Sequence, residues 1–457
     1  MSRYSKKRTA ANFAIYFVII SALSMVSFIY AQSVPIPRPE PGKKARIIVT
    51  TDGEVDDRDS MTRLLMMANE WEIEGLIYAS SGSHWLGREW AGVEWIQAKI
   101  ASYGRDYHNF RKHAEGYPTP DELLAKVFVG NIHNVAETER RTPGADRIVE
   151  VLLDDKPGPV YLQAWGGVGT IAAALKIIQR EFPNEIEKVN KKAVLYLISD
   201  QDQVFQSYVA PNWPKLHVLL NRGQFGAFGY GARNNPLPHR VFFERPWLEG
   251  YILTSGGALT GSYEAEEGAF RSEGDTPAFL HQIDVGLRSL EHPSYGGWGG
   301  RFVQEAPGKS NVWVSASDDG NMGKPIWRFA TAIQFEWAAR AAWAVTPAYR
   351  NANHPPIVVV EGQMDRSVKP GEIVELDASA SRDPDGDQLH YIWWQYRDAG
   401  SYNGKVKITN YDKPIAAVQV PLDGKTGDTI HIIAEVTDAG KPPLTRYARI
   451  ILTVQDK

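Results

Sequence analysis

Cysteine is absent from all 457 residues. That excludes a disulfide framework, a thiolate nucleophile, a thiolate metal site and a lipid anchor on a processed cysteine. Any metal must therefore sit on oxygen or imidazole. The absence does not argue against export, because large secreted domains hold together without such staples. A basic excess is missing too: 50 Lys and Arg stand against 54 Asp and Glu, for a net charge of −4. This gives no support to nucleic-acid binding, which requires a basic face. There is no internal repeat and no low-complexity tract. What remains is an ordinary globular mixture, 43% apolar and 23% charged, long enough for two or three domains.

The first residues bear on compartment. Arg3, Lys6, Lys7 and Arg8 precede an uncharged apolar stretch from Ala10 to Ala31, with Ile29 and Ala31 placed for cleavage before Gln32. This reads as a signal peptide over residues 1–31. The stretch is also long enough to be an uncleaved anchor helix. Either way the rest is expected outside the cytoplasm, secreted or periplasmic, with no membrane association after cleavage. Loss of the four basic residues makes the remainder more acidic.

Pro35, Pro37, Pro39 and Pro41 form a short extended linker. Strands are expected at residues 45–50, 74–79, 160–163 and 193–198, with helices at 60–71 and 170–178. Strands alternating with helices predict an α/β unit, a mainly parallel sheet flanked by helices, over residues 43–350. Asn351 to Pro356 breaks the pattern. Beyond it, short alternating strands are expected at 357–360, 373–376, 391–396, 416–420, 429–437 and 446–454. Six or seven strands in about 100 residues predict an all-β sandwich over residues 355–457, able to fold alone.

The most informative segment follows the first strand. Asp52, Glu54, Asp56, Asp57 and Asp59 crowd a short turn. Surface turns often carry acids. The C-terminal end of a parallel strand, however, is where α/β sheets bind ligands. Crowded carboxylates repel unless a cation neutralises them, and Ca²⁺ takes six to eight oxygen ligands. Pattern alone leaves the metal site and the plain acidic turn both open.

Thr50-Thr51-Asp52-Gly53-Glu54-Val55-Asp56-Asp57 resembles the nucleoside-hydrolase signature Asp-x-Asp-Pro-Gly-x-Asp-Asp, with Asp52, Asp56 and Asp57 on three of its aspartates. The resemblance implies Ca²⁺ as cofactor, held by Asp52 and Asp57, with Asp56 on sugar hydroxyls and Asp52 activating water. Trp165-Gly166-Gly167-Val168-Gly169-Thr170-Ile171-Ala172 resembles the family's Gly-Pro-Leu-Thr-Asn-Ile-Ala turn, which makes the Gly169 carbonyl a metal ligand. Glu273-Gly274-Asp275-Thr276-Pro277 resembles its late His-Asp-Pro segment, which makes Asp275 the distal ligand. Three departures stand out. Thr50 replaces the first aspartate, Gly53-Glu54 replaces Pro-Gly, and Gly274 stands where many members place a leaving-group histidine. No Glu-Phe-Asn ribose segment is found. The same wording, with Gly-Gly-Trp-Gly-Gly-Arg at 296–301, is similar to a narrower family described as cellulose-binding. That family has a nucleoside-hydrolase-like domain and a C-terminal immunoglobulin-like domain, and the resemblance runs from about residue 43 onward.

Aromatics are the other resource, with 14 tryptophans. Trp85, Trp90 and Trp95, spaced by five, would spread around a helix and leave at least one facing away from the core. Trp165 and Trp298 fall in Gly-rich loops near the acids and are expected to stack on a sugar ring. Asp200 and Gln201, at a strand end, could bind sugar hydroxyls or simply form a turn. His84, after Ser80-Ser81-Gly82-Ser83, could act as acid or base or be an exposed loop histidine. The Gly166-Gly167-x-Gly169 turn lacks the full dinucleotide spacing and an acidic partner. In the second domain, Asp383-Pro384-Asp385-Gly386-Asp387 resembles the turn of polycystic-kidney-disease-type and cadherin-like modules. A cation loop joined by Asp377 and Asp438 is open there. The plain turn is favoured, because Asp and Gly are the usual turn formers. Of Trp393 and Trp394, one ring should face the sandwich core and the other away.

Two functions follow. The first is a Ca²⁺-dependent hydrolase of a glycosidic bond, on a carbohydrate or N-glycosidic, nucleoside-like substrate. Asp52 is then catalytic, with Asp56, Trp165, Asp200, Gln201 and Trp298 binding substrate. The second is a polysaccharide-binding protein that keeps the hydrolase fold without turnover.

Overall fold

Strand β1, Ala45–Thr51, is buried along its whole length. Ile47 and Val49 join one apolar cluster and Ile48 the other, as expected for a strand with both faces covered. The computed structural model describes residues 36–308 and 310–456, so the leader read at residues 1–31 lies outside the described residues. Among those described, no helix is long and apolar enough to cross a membrane.

Around β1 the chain builds β2 (Trp71–Tyr78), β3 (Val127–Val129), β4 (Val160–Ala164), β5 (Ala193–Ile198), β6 (His217–Asn221), β7 (Phe302–Gln304) and β8 (Val312–Ser315). They form one eight-stranded sheet in the order β3-β2-β1-β4-β5-β6-β8-β7. Only the β7–β8 pair is antiparallel. The strand order reverses between β1 and β4, which opens a crevice beyond their C-terminal ends. Helix α1 runs Val55–Met66 and α2 Trp95–His113. The helix expected at 60–71 thus starts earlier. Asp56 and Asp57 sit in its first turn, where the helix dipole favours acids. Trp71, expected in that helix, opens β2 instead.

After a long helix, Ala330–Val345, the chain forms the second unit. It comprises β9 (Asp365–Val368), β10 (Ile373–Asp377), β11 (Leu389–Gln395), β12 (Lys407–Thr409), β13 (Ile415–Gln419), β14 (Thr429–Asp438) and β15 (Thr445–Val454). These make a three-stranded sheet, β10-β13-β12, facing a four-stranded one, β11-β14-β15-β9. This is an all-β immunoglobulin-like arrangement. The strand expected at 357–360 is reduced to one bridge, Ile357 with Arg382. Pro355 and Pro356 cannot donate to a ladder, and Val359 N–H goes to Ser381 Oγ at 3.0 Å.

Trp393 packs inside the sandwich with Leu376, Val418 and Ile432. Trp394 points the other way. With Tyr396, Ile433 and Tyr447 it joins the apolar cluster of the first unit. Arg449 crosses the same seam, donating to the carbonyls of Leu287 at 2.7 Å and Tyr295 at 2.7 Å.

Candidate functional site

The turn between β1 and α1 brings the acids to the crevice. Gly53 bends it at φ +78°, and a Cβ there would meet the Trp95 indole nitrogen at 2.8 Å. Asp52 and Asp57 are each 2% exposed, as is Asp275 from the distant 273–277 segment. Asp57 Oδ1 accepts from the Thr51 hydroxyl and from Asp52 N–H at 3.2 Å. One carboxylate oxygen from each of Asp56, Asp57 and Asp275 lies within 4.8 Å of the others. Asp59 lies apart, accepting Glu264 N–H at 2.7 Å.

This group fits a cation. Asp52 Oδ2 and Asp275 Oδ2 are buried without a hydrogen-bond partner. Burial, then the charges of Asp52 and Asp56, push Asp57 well above the usual carboxyl range. Burial, then Asp57, Asp56 and Asp52, do the same to Asp275. Asp56 is pushed up to about 7 by burial, then by Glu54 and Asp52. Among the described residues no Lys or Arg pairs with Asp56, Asp57 or Asp275; a bound metal ion would relieve the crowding, and the donor set is all oxygen.

Asp52 behaves differently. Burial pushes its carboxyl up, but His84, Asp57 and Ser81 outweigh that and hold it below its ordinary value. His84 Nδ1 lies 3.6 Å from Asp52 Oδ2 and 3.6 Å from Glu54, and its Nε2 lies 3.6 Å from Glu89. The His84 imidazole is in turn raised, first by its interaction with Asp52. His84 is thus part of the acid site. Its place at the end of β2, one strand from β1, was the available signal. At the mouth, Tyr230 donates to Glu54 at 2.8 Å and is 58% exposed.

Two glycine positions shape the floor. A Cβ on Gly166 would stand 2.8 Å from the Asp52 carboxyl carbon, and one on Gly274 would stand 2.7 Å from Asp56 Oδ2. A side chain at 274 would therefore have to displace the Asp56 carboxylate. Ser272 Oγ reaches Asp56 at 3.4 Å.

The other expected site residues have the following partners. Gly169 opens the helix Gly169–Glu181, its N–H donating to Asp202 Oδ2 at 3.0 Å. Asp202, which also accepts Val168 N–H at 2.8 Å, clamps the Gly-rich turn. Asp200 accepts the N–H groups of Phe205 and Gln206, both at 3.1 Å, which is a capping role. Gln201 donates to the Trp165 carbonyl at 2.6 Å. Trp165 and Trp298 are each 1% exposed, so neither offers a face for stacking on a sugar. Trp165 packs on Phe279 and donates to Gln163 at 3.1 Å. Trp298 lies at the seam between the units, 5.8 Å from the Arg446 guanidinium. Trp85 and Trp90 sit in the loop before α2 and Trp95 at its start, all half-buried beside the His84 loop.

A family profile described as "Cellulose-binding Sde182, nucleoside hydrolase-like domain" matches residues 46–302. A second, "Cellulose-binding protein Sde0182, C-terminal domain", matches 373–454. A solved nucleoside hydrolase-related protein from Saccharophagus degradans, described as associated with carbohydrate metabolism, is 31% identical. It covers 90% of this chain and 100% of its own length, with a TM-score of 0.77. A PKD domain from KIAA 1837 protein is 20% identical over 21% of this chain and 86% of its own, with a TM-score of 0.17. The effector protein XOO4466 is 10% identical over 67% of this chain and 95% of its own, with a TM-score of 0.37. No curated protein matches.

Proposed function

Because this chain belongs to the cellulose-binding Sde182 family, with its nucleoside hydrolase-like domain and C-terminal domain, we propose that it is an exported, Ca²⁺-dependent hydrolase of a glycosidic bond in carbohydrate. The observation that carries this reading is Asp52 Oδ2: buried, without a hydrogen-bond partner, and held as carboxylate beside His84 and the Asp56–Asp57–Asp275 group. A general base must be ionised and free to accept, and this atom is both.

Asp57 and Asp275 would hold the cation, with Asp56 and Asp52 at its edge. When bound, it would neutralise the carboxylates and make water a better nucleophile. Asp52 takes the proton of the attacking water as the oxygen joins the anomeric carbon. The glycosidic bond breaks, and the leaving oxygen takes a proton from solvent. Asp56, free of any side chain at 274, is placed for sugar hydroxyls.

Family and geometry both favour sugar over nucleobase as the ligand. The leaving-group histidine is absent, and its space is taken by Asp56. The test is hydrolysis of cello-, xylo- and pectic oligosaccharides against purine and pyrimidine nucleosides, with and without chelator. Expected are new reducing ends from one oligosaccharide class, lost on chelation and in Asp52→Asn. Cleavage of nucleosides alone would overturn the carbohydrate reading. Tight oligosaccharide binding with no cleavage would make the chain a binding protein.

A further inference from the structure

The second unit holds another group of bare oxygens, at the joint between the two domains. Asp383 Oδ1 accepts the N–H groups of Asp385 at 2.9 Å and Asp387 at 3.0 Å. This fixes the turn, with Gly386 at φ +83°. One oxygen from each of Asp383, Asp385 and Asp387 lies within 4.8 Å of the others. Such a turn alone is unremarkable, since aspartates often cap themselves this way.

Two buried residues from elsewhere change its meaning. Asp438, at the end of β14, is 1% exposed. Its Oδ1 takes three donors: Asn353 Nδ2 at 2.8 Å, Gly440 N–H at 2.9 Å and Leu444 N–H at 3.1 Å. Its Oδ2 has none, nor do Asn353 Oδ1 and Asp383 Oδ2, all buried. The Asn353 amide cannot be turned to relieve this. Its Nδ2 is committed to Asp438 Oδ1 and to the Pro442 carbonyl, each at 2.8 Å. A Cβ on Gly440 would stand 2.2 Å from that amide, so the packing is close. Among the described residues no lysine or arginine pairs with Asp383, Asp387 or Asp438. His354 is engaged by Asp385 at 3.0 Å and by His113 of α2 at 3.0 Å. Buried acceptors without donors cost free energy unless something positive meets them.

We propose that Asp383, Asp385 and Asp387 bind a divalent cation of the Ca²⁺ class at the joint between the domains, with the unpartnered oxygens of the neighbouring Asp438 and Asn353 side chains turning to complete the set. The donors are hard oxygens, four carboxylates and one amide, which suits Ca²⁺ over softer metals. The site gathers the segment after the helix Ala330–Val345, the β10–β11 turn and the end of β14. Through His354 it reaches α2, which starts beside the acid crevice. Its occupancy therefore fixes the sandwich against the first domain.

The test counts Ca²⁺ bound by the full chain after chelation, using equilibrium dialysis. Wild type should take up two equivalents, and Asp383→Asn with Asp387→Asn one. Asp57→Asn with Asp275→Asn should also take up one, so failure of the crevice site is read separately. Hydrogen exchange supplies a readout that needs no substitution in the joint. In wild type and in the Asp57/Asp275 variant, Ca²⁺ should slow exchange of amides at 383–387 and 438–444 at least tenfold. Full uptake by a folded Asp383/Asp387 variant, or unchanged exchange in those segments at saturating Ca²⁺, overturns the proposal.

Discussion

Tyr396 of the sandwich donates its hydroxyl hydrogen to Asp318 of the first domain at 2.7 Å. Asp318 is fully buried and also receives Arg301 at 2.7 Å and Arg328 at 2.8 Å. Tyr396→Phe removes one donor from an anion still held by two arginines, costing about 1–2 kcal/mol. Asp318→Ala strands two buried guanidiniums and should cost about 3–5 kcal/mol. Because the seam shares the apolar cluster of the first unit, both variants should still unfold in one calorimetric transition. Equal losses for the two substitutions, or two separated transitions in wild type, would contradict a single welded seam.

Acid should loosen the fold through its buried histidines. Burial pushes His281 and His431 down to about 3 and His217 to about 4. These groups stay neutral in the fold but protonate near 6.5 when unfolded. Their stabilisation is full above that value and is lost as pH falls from about 6.5 toward 4 and then 3. His281 packs between Tyr196 and Phe302, and its Nδ1 has no partner. Between pH 7 and pH 5, His281→Gln should change the pH dependence of the denaturant midpoint by about one proton relative to wild type, in the direction of less loss in acid. An unchanged slope in that variant rules out His281 as a contributor.

The strands that carry the site were legible because they are continuous apolar runs: β5 at 193–198 was read to the residue. The acid turn was legible as a candidate because five acids follow such a run, at the strand end where α/β sheets place ligands. Three things were not. His84 is one histidine in a polar loop, and only the pairing of β2 beside β1 brings it to Asp52. Asp202 looks no different from Asp200 in sequence, yet it holds the Gly-rich turn while Asp200 caps a helical turn. Trp298 sits among four glycines, a pattern that suits an exposed loop. Here the glycines permit close packing instead, since a Cβ on Gly296 would stand 2.7 Å from the Tyr396 hydroxyl. The seam between domains depends on pairings between residues far apart in the chain, 78 positions for Tyr396 with Asp318 and 162 for Arg449 with Leu287, which local pattern does not report.

Cation uptake in the crevice should release protons. Asp57 and Asp275 are raised well above the ordinary carboxyl range and Asp56 to about 7, so the cation-free protein retains protons that a ligand set must give up. Affinity should rise with pH between about 6 and 8. In calorimetric titrations near pH 7 the apparent enthalpy should change linearly with the ionisation enthalpy of the buffer. An enthalpy independent of buffer would mean the acids are already ionised. The Asp57→Asn and Asp275→Asn double variant should lose the buffer-dependent part.

The residues that meet the sugar can be separated from those that only build the floor. Trp165 is buried, and its indole N–H is committed to Gln163. Trp165→Phe should therefore lower stability by about 1–3 kcal/mol through lost volume and a bare acceptor. Its effect on oligosaccharide affinity, measured where the variant is fully folded, should be under twofold. Tyr230 is the reverse case. It is 58% exposed at the mouth of the crevice, and its hydroxyl is tied to Glu54 at 2.8 Å, which holds the ring in one orientation. A preset aromatic face of this kind stacks on a sugar ring at little entropic cost, for about 1 kcal/mol. Tyr230→Ala should then weaken oligosaccharide binding several-fold while shifting the unfolding midpoint little, since an exposed ring adds little to the core. Tyr230→Phe separates the two contributions of the side chain: stacking survives but the tether to Glu54 is lost, so affinity should fall between wild type and Tyr230→Ala. If Trp165→Phe instead weakens binding at unchanged stability and Tyr230→Ala leaves affinity intact, the sugar enters from another side of the acid cluster.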